Sequence, residues 1–184
     1  MFRNIEIKAR IKSMEALAPK AAALAAEDPM QMTQDDTFFR CDSGRLKLRA
    51  LSATEGQLIF YRRAKQRGPK ESFYLIAPTT SPQTLREALS LAYGQVGRVV
   101  KKRTLYVVGR TRVHLDRVEG LGDFLELEIV LEENEPIAVV VEEARALMAK
   151  LGIEPSQLVE GAYIDLLAQH GAQLSNRKDT TLSA

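Results

Sequence analysis

The amino-acid sequence predicts an α+β fold, an eight-stranded antiparallel closed β-barrel with flanking helices. Two patterns predict it. Roughly eight segments alternate apolar and polar residues with the period of two that belongs to strands. Turn signals rich in Gly, Asp and Pro separate them at the spacing of an antiparallel meander. A third pattern says that this barrel is unusual. Several of the strands carry a charged row on one face, with both signs present. Small barrels ordinarily fill with apolar side chains. A charged interior would need partners, because an unpaired buried charge costs several kcal/mol, of order about 3–5.

From the N-terminus, Phe2 to Lys12 alternates, with Ile5, Ile7, Ala9 and Ile11 on one face and Asn4, Glu6, Lys8, Arg10 and Lys12 on the other. Ser13 is an N-cap residue type opening an Ala-rich helix to about Glu27, with Pro19 expected to kink it or mark its start. Thr33 to Cys41 is the next strand, and Asp42-Ser43-Gly44 turns the chain into Arg45 to Leu51. There Arg45, Lys47 and Arg49 share a face, and such a row must meet water or an anion. Gln57 to Ala64 follows, with Ile59, Tyr61 and Arg63 in phase, then Lys70 to Ile76 after Gly68-Pro69. Ser81-Pro82 opens a helix that Gly94 closes. Val96 to Val108 is a long strand with Lys101 and Arg103 on one face, and Gly109-Arg110 is a hairpin turn.

The stretch Thr111 to Leu131 then reads as two strands around a Gly-rich turn. Arg112, His114 and Asp116 form one same-facing row, and Glu126 and Glu128 another. A charged row of this kind is also what a solvated sheet face shows; the repetition on other strands is what favours a gathered site. Two helices follow, about Pro136 to Lys150 with Gly152 as its C′ residue, and Pro155 to His170. Residues 171–184 are polar and expected to be a disordered tail.

With 45% hydrophobic and 27% charged residues, the composition is that of an ordinary globular chain. A net charge of +2 gives no reason to expect nucleic-acid binding. The charge is locally uneven, basic between Arg40 and Lys70 and acidic between Asp116 and Glu143. A fold that joins these blocks makes a site of both signs, suited to an anion and its metal. The single cysteine, Cys41, excludes a disulfide framework and a thiolate cluster. The N-terminal residues have no apolar targeting core and no stretch approaches the ~20 apolar residues of a membrane helix, so a cytoplasmic location and no membrane partner are expected.

In order and placement, Glu6-x-Lys8, Lys47-x-Arg49, Arg62-Arg63, Lys101-x-Arg103, Arg112-x-x-x-Asp116 and Glu126-x-Glu128 resemble the CYTH superfamily, the triphosphate tunnel metalloenzymes. The segment HLDRVEGLGDFLELE is most similar to the class IV adenylate cyclase and thiamine triphosphatase branch. The resemblance spans about Asn4 to Leu167 and implies one CYTH-like domain over residues 1–170. It implies a triphosphate-containing small molecule as partner (tripolyphosphate, ATP or another organic triphosphate), with Mg²⁺ or Mn²⁺ as cofactor, and it allows a homodimer. Glu126, Glu128, Asp116 and Glu6 become candidate metal ligands. Lys47, Arg49, Arg63 and Arg112 become candidate substrate-binding residues, and Glu6, Lys8, Lys101 and Arg103 candidate catalytic ones. His114, Tyr61 and Tyr163 are read as structural or hydrogen-bonding residues. Asn4 departs from the family pattern Glu-x-Glu-x-Lys and offers an amide in place of the first carboxylate.

Three activities fit this reading. The first is metal-dependent hydrolysis of inorganic or organic triphosphates. The second is a class IV adenylate cyclase, in which the ribose 3′-hydroxyl attacks the α-phosphorus and pyrophosphate leaves. The third is a triphosphate-binding module with reduced catalysis, for which Asn4 is the motive. Hydrolysis needs only the features visible in the sequence.

Overall fold

The computed structural model describes residues 2–63 and 67–171. In chain order the elements are β1 (Phe2–Arg10), α1 (Met14–Leu24), β2 (Met30–Phe39), β3 (Arg45–Ala50), β4 (Gly56–Arg63), β5 (Lys70–Thr79) and α2 (Pro82–Tyr93). They continue as β6 (Gln95–Val108), β7 (Thr111–Val118), β8 (Gly122–Val130), α3 (Ile137–Leu151) and a last helix, α4, over 163–171. The eight strands close into an antiparallel barrel in the order β1-β5-β4-β3-β2-β6-β7-β8. The closed barrel expected from the alternation is therefore present.

The path is not one continuous meander. β2 to β5 form one meander and β6 to β8 another, and β1 fills the gap between β5 and β8. Tight turns can join only neighbouring strands, whereas helices can carry the chain across. Here α1 takes it from β1 to β2, and α2 takes it from β5 to β6.

The apolar core lies outside the barrel, against its outer face. Ile5, Ile7, Val113, Leu115, Leu125 and Leu127 are buried there against Leu17 and Ala21 of α1 and Val140, Ala144, Leu147 and Leu151 of α3. Fully burying each large aliphatic chain stabilises the fold by about 1.5–3 kcal/mol. This burial fixes the register, since a one-residue slip would turn the charged rows outward and the apolar rows inward.

The helix ends follow local chemistry. Ser13 Oγ accepts from Ala16 N at 3.1 Å and caps α1. The helix begins at Met14 and ends at Leu24, so Pro19 sits inside it and does not mark its start. Gly94 and Gly152, with φ of 74° and 73°, end α2 and α3 in a conformation that costs a β-carbon-bearing residue energy.

The last predicted helix is broken. Pro155–Gln157 makes a single 3₁₀ turn, after which Leu158 bridges to Ala9 and Val159 N donates to Lys8 O at 3.0 Å. These bonds to β1 satisfy the backbone in place of helical ones. Gly161, at φ 83°, turns the chain, and Asp165 Oδ2 accepts from Ala162 N at 2.9 Å to start α4. Of the tail expected over 171–184, Gly171 instead ends α4, and 172–184 lie outside the described residues. Among the described residues no helix is long and apolar enough to cross a membrane.

Candidate active site

The inward face of the barrel is charged. β1 contributes Asn4, Glu6 and Lys8; β2 Gln34 and Asp36; β3 Lys47 and Arg49; β6 Lys101 and Arg103; β7 Arg112, His114 and Asp116; β8 Glu126 and Glu128. All of them except Asp116 line a cavity of about 380 Å³, within the size range of small-molecule sites. One end is closed by the start of α4, where Ala162, Tyr163 and Ile164 pack with Phe38, Val99 and Phe124. In the strand order β8 and β3 lie directly across the barrel from each other. The acidic block around Glu126 and the basic block around Arg49 therefore become opposite walls of one cavity.

Two buried aspartates tie down the cations. Asp36 accepts from Lys47 Nζ at 2.6 Å and from Arg49 Nε and Nη2 at 2.8 and 2.9 Å. Burial alone would raise its carboxyl, but Arg49 and Lys47 outweigh that and hold it far below the usual carboxylate range. Burial, with Arg49 alongside, pushes Lys47 down to about 7 despite Asp36. Asp116 is fully buried and accepts from Lys101 Nζ at 2.9 Å, from Arg103 Nε and Nη2 at 2.6 Å each, and from the Tyr163 hydroxyl at 3.0 Å. Here too burial is outweighed, by Arg103 and Lys101, and Asp116 stays ionised.

The acidic wall is held differently. Glu126 Oε2 accepts from Arg103 Nη2 at 2.6 Å, and its Oε1 faces Lys8 Nζ at 3.0 Å. Lys8 also donates to Gly161 O at 3.3 Å and stands 3.8 Å above the centre of the Tyr163 ring, a cation–π distance. Glu128 Oε2 accepts from Arg112 Nε at 3.1 Å. Burial opposes ionisation of both glutamates. Lys8 and Lys101 outweigh it at Glu126, and His114 and Arg112 do so at Glu128, so both are held below their ordinary values. Burial, then Arg103, lowers His114, with Glu128 pulling the other way.

Residues 3–163 match the CYTH domain. The chain belongs to the CYTH domain family. It is similar to the adenylate cyclase CyaB of Aeromonas hydrophila, with 26% identity over 176 residues, 90% of this chain and 89% of that one. A solved structure of a Pyrococcus horikoshii OT3 protein superposes with a TM-score of 0.77 at 23% identity, over 89% of this chain and 99% of its own. A Hippeastrum protein, described by a dominant triphosphatase activity, gives a TM-score of 0.64 at 16% identity over 92% of this chain and 96% of its own. At such identities the two structures speak to the fold alone.

Against this CYTH barrel the residues singled out in the sequence sort as follows. Lys47, Arg49, Lys101, Arg103, Arg112, Glu126, Glu128, Glu6 and Lys8 come together in the cavity. Glu6 stands opposite Glu128 in the β1–β8 register and opposite Lys70 in the β1–β5 register. Arg63 ends β4 in phase with Ile59 and Tyr61, and its side chain lies outside the described residues. Asp116 is placed among cations, with Arg103 and Lys101 as its partners; Arg112 turns instead to Glu128. Asn4 is buried in the cavity wall, and its Oδ1 has no hydrogen-bond partner.

Sequence reasoning missed Asp36 and Lys70 and left His114 aside. Asp36 had a signal, since it shares a phase with Phe38, but Asp35 beside it carries the same charge to the opposite face, where it pairs with Arg86 and Arg98. Lys70 is almost fully buried and shares the inward phase of Ser72 and Tyr74. His114, Glu126 and Glu128 each offer one ligand atom, and these atoms lie within 4.8 Å of one another. Donors at about 2.0–2.1 Å from one octahedral ion stand about 3 Å apart when adjacent and about 4.2 Å when opposite, so a spacing of up to 4.8 Å would close by some tenths of an ångström around a single divalent cation. A carboxylate has about four lone-pair sites, and each glutamate keeps some of them unspent on its cations.

Proposed function

We propose that this CYTH protein is a divalent-metal-dependent phosphohydrolase that cleaves triphosphates, inorganic tripolyphosphate or an organic triphosphate, inside the barrel. The carrying observation is the opposition of two walls in one cavity: Lys47 and Arg49 on β3, and Glu126 and Glu128 on β8. Among the described residues, seven basic side chains (Lys8, Lys47, Arg49, Lys70, Lys101, Arg103, Arg112) face the interior against five carboxylates (Glu6, Asp36, Asp116, Glu126, Glu128). That excess of positive charge favours entry of a polyanion.

In this reading Lys47, Arg49 and Arg112 take phosphate oxygens, exchanging part of their contact with Asp36 and Glu128 for the substrate. Lys101 and Arg103, already oriented by Asp116, neutralise charge as it gathers on the transferred phosphoryl group, with no reorganisation at the moment of reaction. Lys8, fixed by Glu126, Gly161 O and the Tyr163 ring, orients the attacking water. Water attacks the terminal phosphorus and the chain shortened by one phosphate leaves. Glu126 and Glu128, with Glu6 beside them, would hold Mg²⁺ or Mn²⁺, which when bound supplies Lewis-acid polarisation of a phosphoryl oxygen and a more acidic water. Asp116, a candidate ligand from the sequence, is better assigned as the anchor of Lys101 and Arg103, because its oxygens already accept four hydrogen bonds.

Adenylate cyclisation is the second reading. The Aeromonas relative's name favours it, as does the apolar lining contributed by Met32, Leu105 and Ile76 with Tyr74, which suits a nucleobase. Product analysis separates the two. Purified protein is incubated with tripolyphosphate or ATP and Mg²⁺ or Mn²⁺, and the products are resolved. Orthophosphate, mainly from tripolyphosphate, is expected. Cyclic AMP with pyrophosphate would establish the cyclase in its place, and no product with either substrate would refute both.

A further inference from the structure

His114 lies on β7 between Arg112 and Asp116 and directly opposite Glu126 in the β7–β8 register. Its side chain is only 5% exposed. Its Nδ1 is buried with no hydrogen-bond partner, and the nearest carboxylate oxygen, Glu126 Oε2, is 4.0 Å away, beyond hydrogen-bond length. A buried polar atom left unpaired is destabilising, so this nitrogen needs an account. Packing against the other cavity residues does not supply one, since none of them bonds this atom. Metal coordination does, since His114, Glu126 and Glu128 bring their ligand atoms within 4.8 Å of one another.

We infer that His114 is a nitrogen ligand to the divalent ion held by Glu126 and Glu128, and that this donor makes the site select Mn²⁺ over Mg²⁺. The inference rests on the proposed metal-dependent activity and deepens it. Mg²⁺ is a hard ion bound almost wholly through oxygen, whereas imidazole is a favoured ligand of first-row transition metals. Two carboxylates alone would serve either ion. One imidazole with two carboxylates favours the transition metal, and the fixed position of His114 on a strand between charged neighbours gives the ring little freedom to turn away.

The test is pulsed electron paramagnetic resonance of Mn²⁺ bound to the full chain, alone and with a methylene-bridged tripolyphosphate analogue that contains no nitrogen. A coordinated imidazole imposes a ¹⁴N modulation on the Mn²⁺ echo. The wild-type protein is expected to show it, and His114→Gln, with unchanged circular dichroism, is expected to lose it. The variant's Mn²⁺ dissociation constant should rise about 10- to 100-fold, while its Mg²⁺ affinity changes by no more than about threefold, as expected of a ligand the harder ion does not seek. The wild-type echo needs no variant and so stands even if His114→Gln fails to fold. Bound Mn²⁺ without nitrogen modulation would overturn the inference. If the same preparation still hydrolyses tripolyphosphate in a divalent-ion-dependent way, only the role of His114 falls; if no divalent ion supports turnover, the hydrolase reading falls with it.

Discussion

Asp116 and Glu126 lie on neighbouring strands, both buried, both inward, and joined by one guanidinium, since Arg103 donates to each at 2.6 Å. Asp116 accepts from Lys101, Arg103 and Tyr163, and so is satisfied by the protein itself. Glu126 accepts one donor on one oxygen and faces Lys8 with the other, and it shares a small volume with Glu128 and an unpaired imidazole nitrogen. Burial and charge are alike at the two sites. On the proposed reading, what separates an anchor from a ligand is unspent valence, the lone pairs left over when the protein's own donors have been counted. Asp36, closed by Lys47 and Arg49, belongs with Asp116.

Three experiments bear on this contrast. The largest effect is expected from Glu126→Gln with Glu128→Gln, which should lower triphosphate turnover about a thousandfold while circular dichroism stays native, on the scale of losing preorganised electrostatic groups. Turnover near the wild-type level in the folded variant would remove the acidic wall from the chemistry. Next is Asp116→Asn, whose cost should appear as stability. Leaving Lys101 and Arg103 without their carboxylate should cost about 3–5 kcal/mol in urea unfolding, the scale of a broken buried ion pair. A loss within experimental error would show that Asp116 is not an anchor.

The smallest effect concerns Lys47, which burial and Arg49 push down to about 7. A lysine with a lowered value is charged below it and neutral above it. Its contribution to triphosphate binding is therefore present below pH 7 and lost as pH rises. Lys47→Arg stays charged throughout, so the wild-type dissociation constant should rise relative to the variant's by up to about tenfold between pH 6 and 8. Taking the ratio cancels the titration of tripolyphosphate itself, and a ratio independent of pH would place Lys47 in its ordinary range.

Much of this barrel was legible in the sequence because a strand's period of two is rigid. Once Ile5 and Ile7 are assigned to a core, Glu6 and Lys8 must face the other way, and the same holds for Leu125 and Leu127 against Glu126 and Glu128. Alternation cannot say which ion pairs with which. Arg112 shares a row with Asp116, yet it reaches Glu128, because pairing depends on cross-strand register set by all eight strands. Asp36 was hidden by its neighbour Asp35, equal in charge and opposite in direction. The break before α4 had a local sign in Gly161, but its cause is distant: backbone bonds from Leu158 and Val159 to β1. Nor does any pattern along the chain mark His114 as unpaired, since an orphaned nitrogen is defined only by everything around it.

The contrast between anchor and ligand is tested most directly by titrating Mn²⁺ into two folded variants, Asp116→Asn and Glu126→Gln/Glu128→Gln, and counting bound ions by the loss of the free-ion resonance signal. Asp116→Asn is expected to bind one Mn²⁺ with an affinity within about tenfold of wild type, because removing an anchor disturbs the ligands only indirectly, and the double glutamine variant to bind none. Loss of the ion from Asp116→Asn together with its retention in the double variant would reverse the two roles.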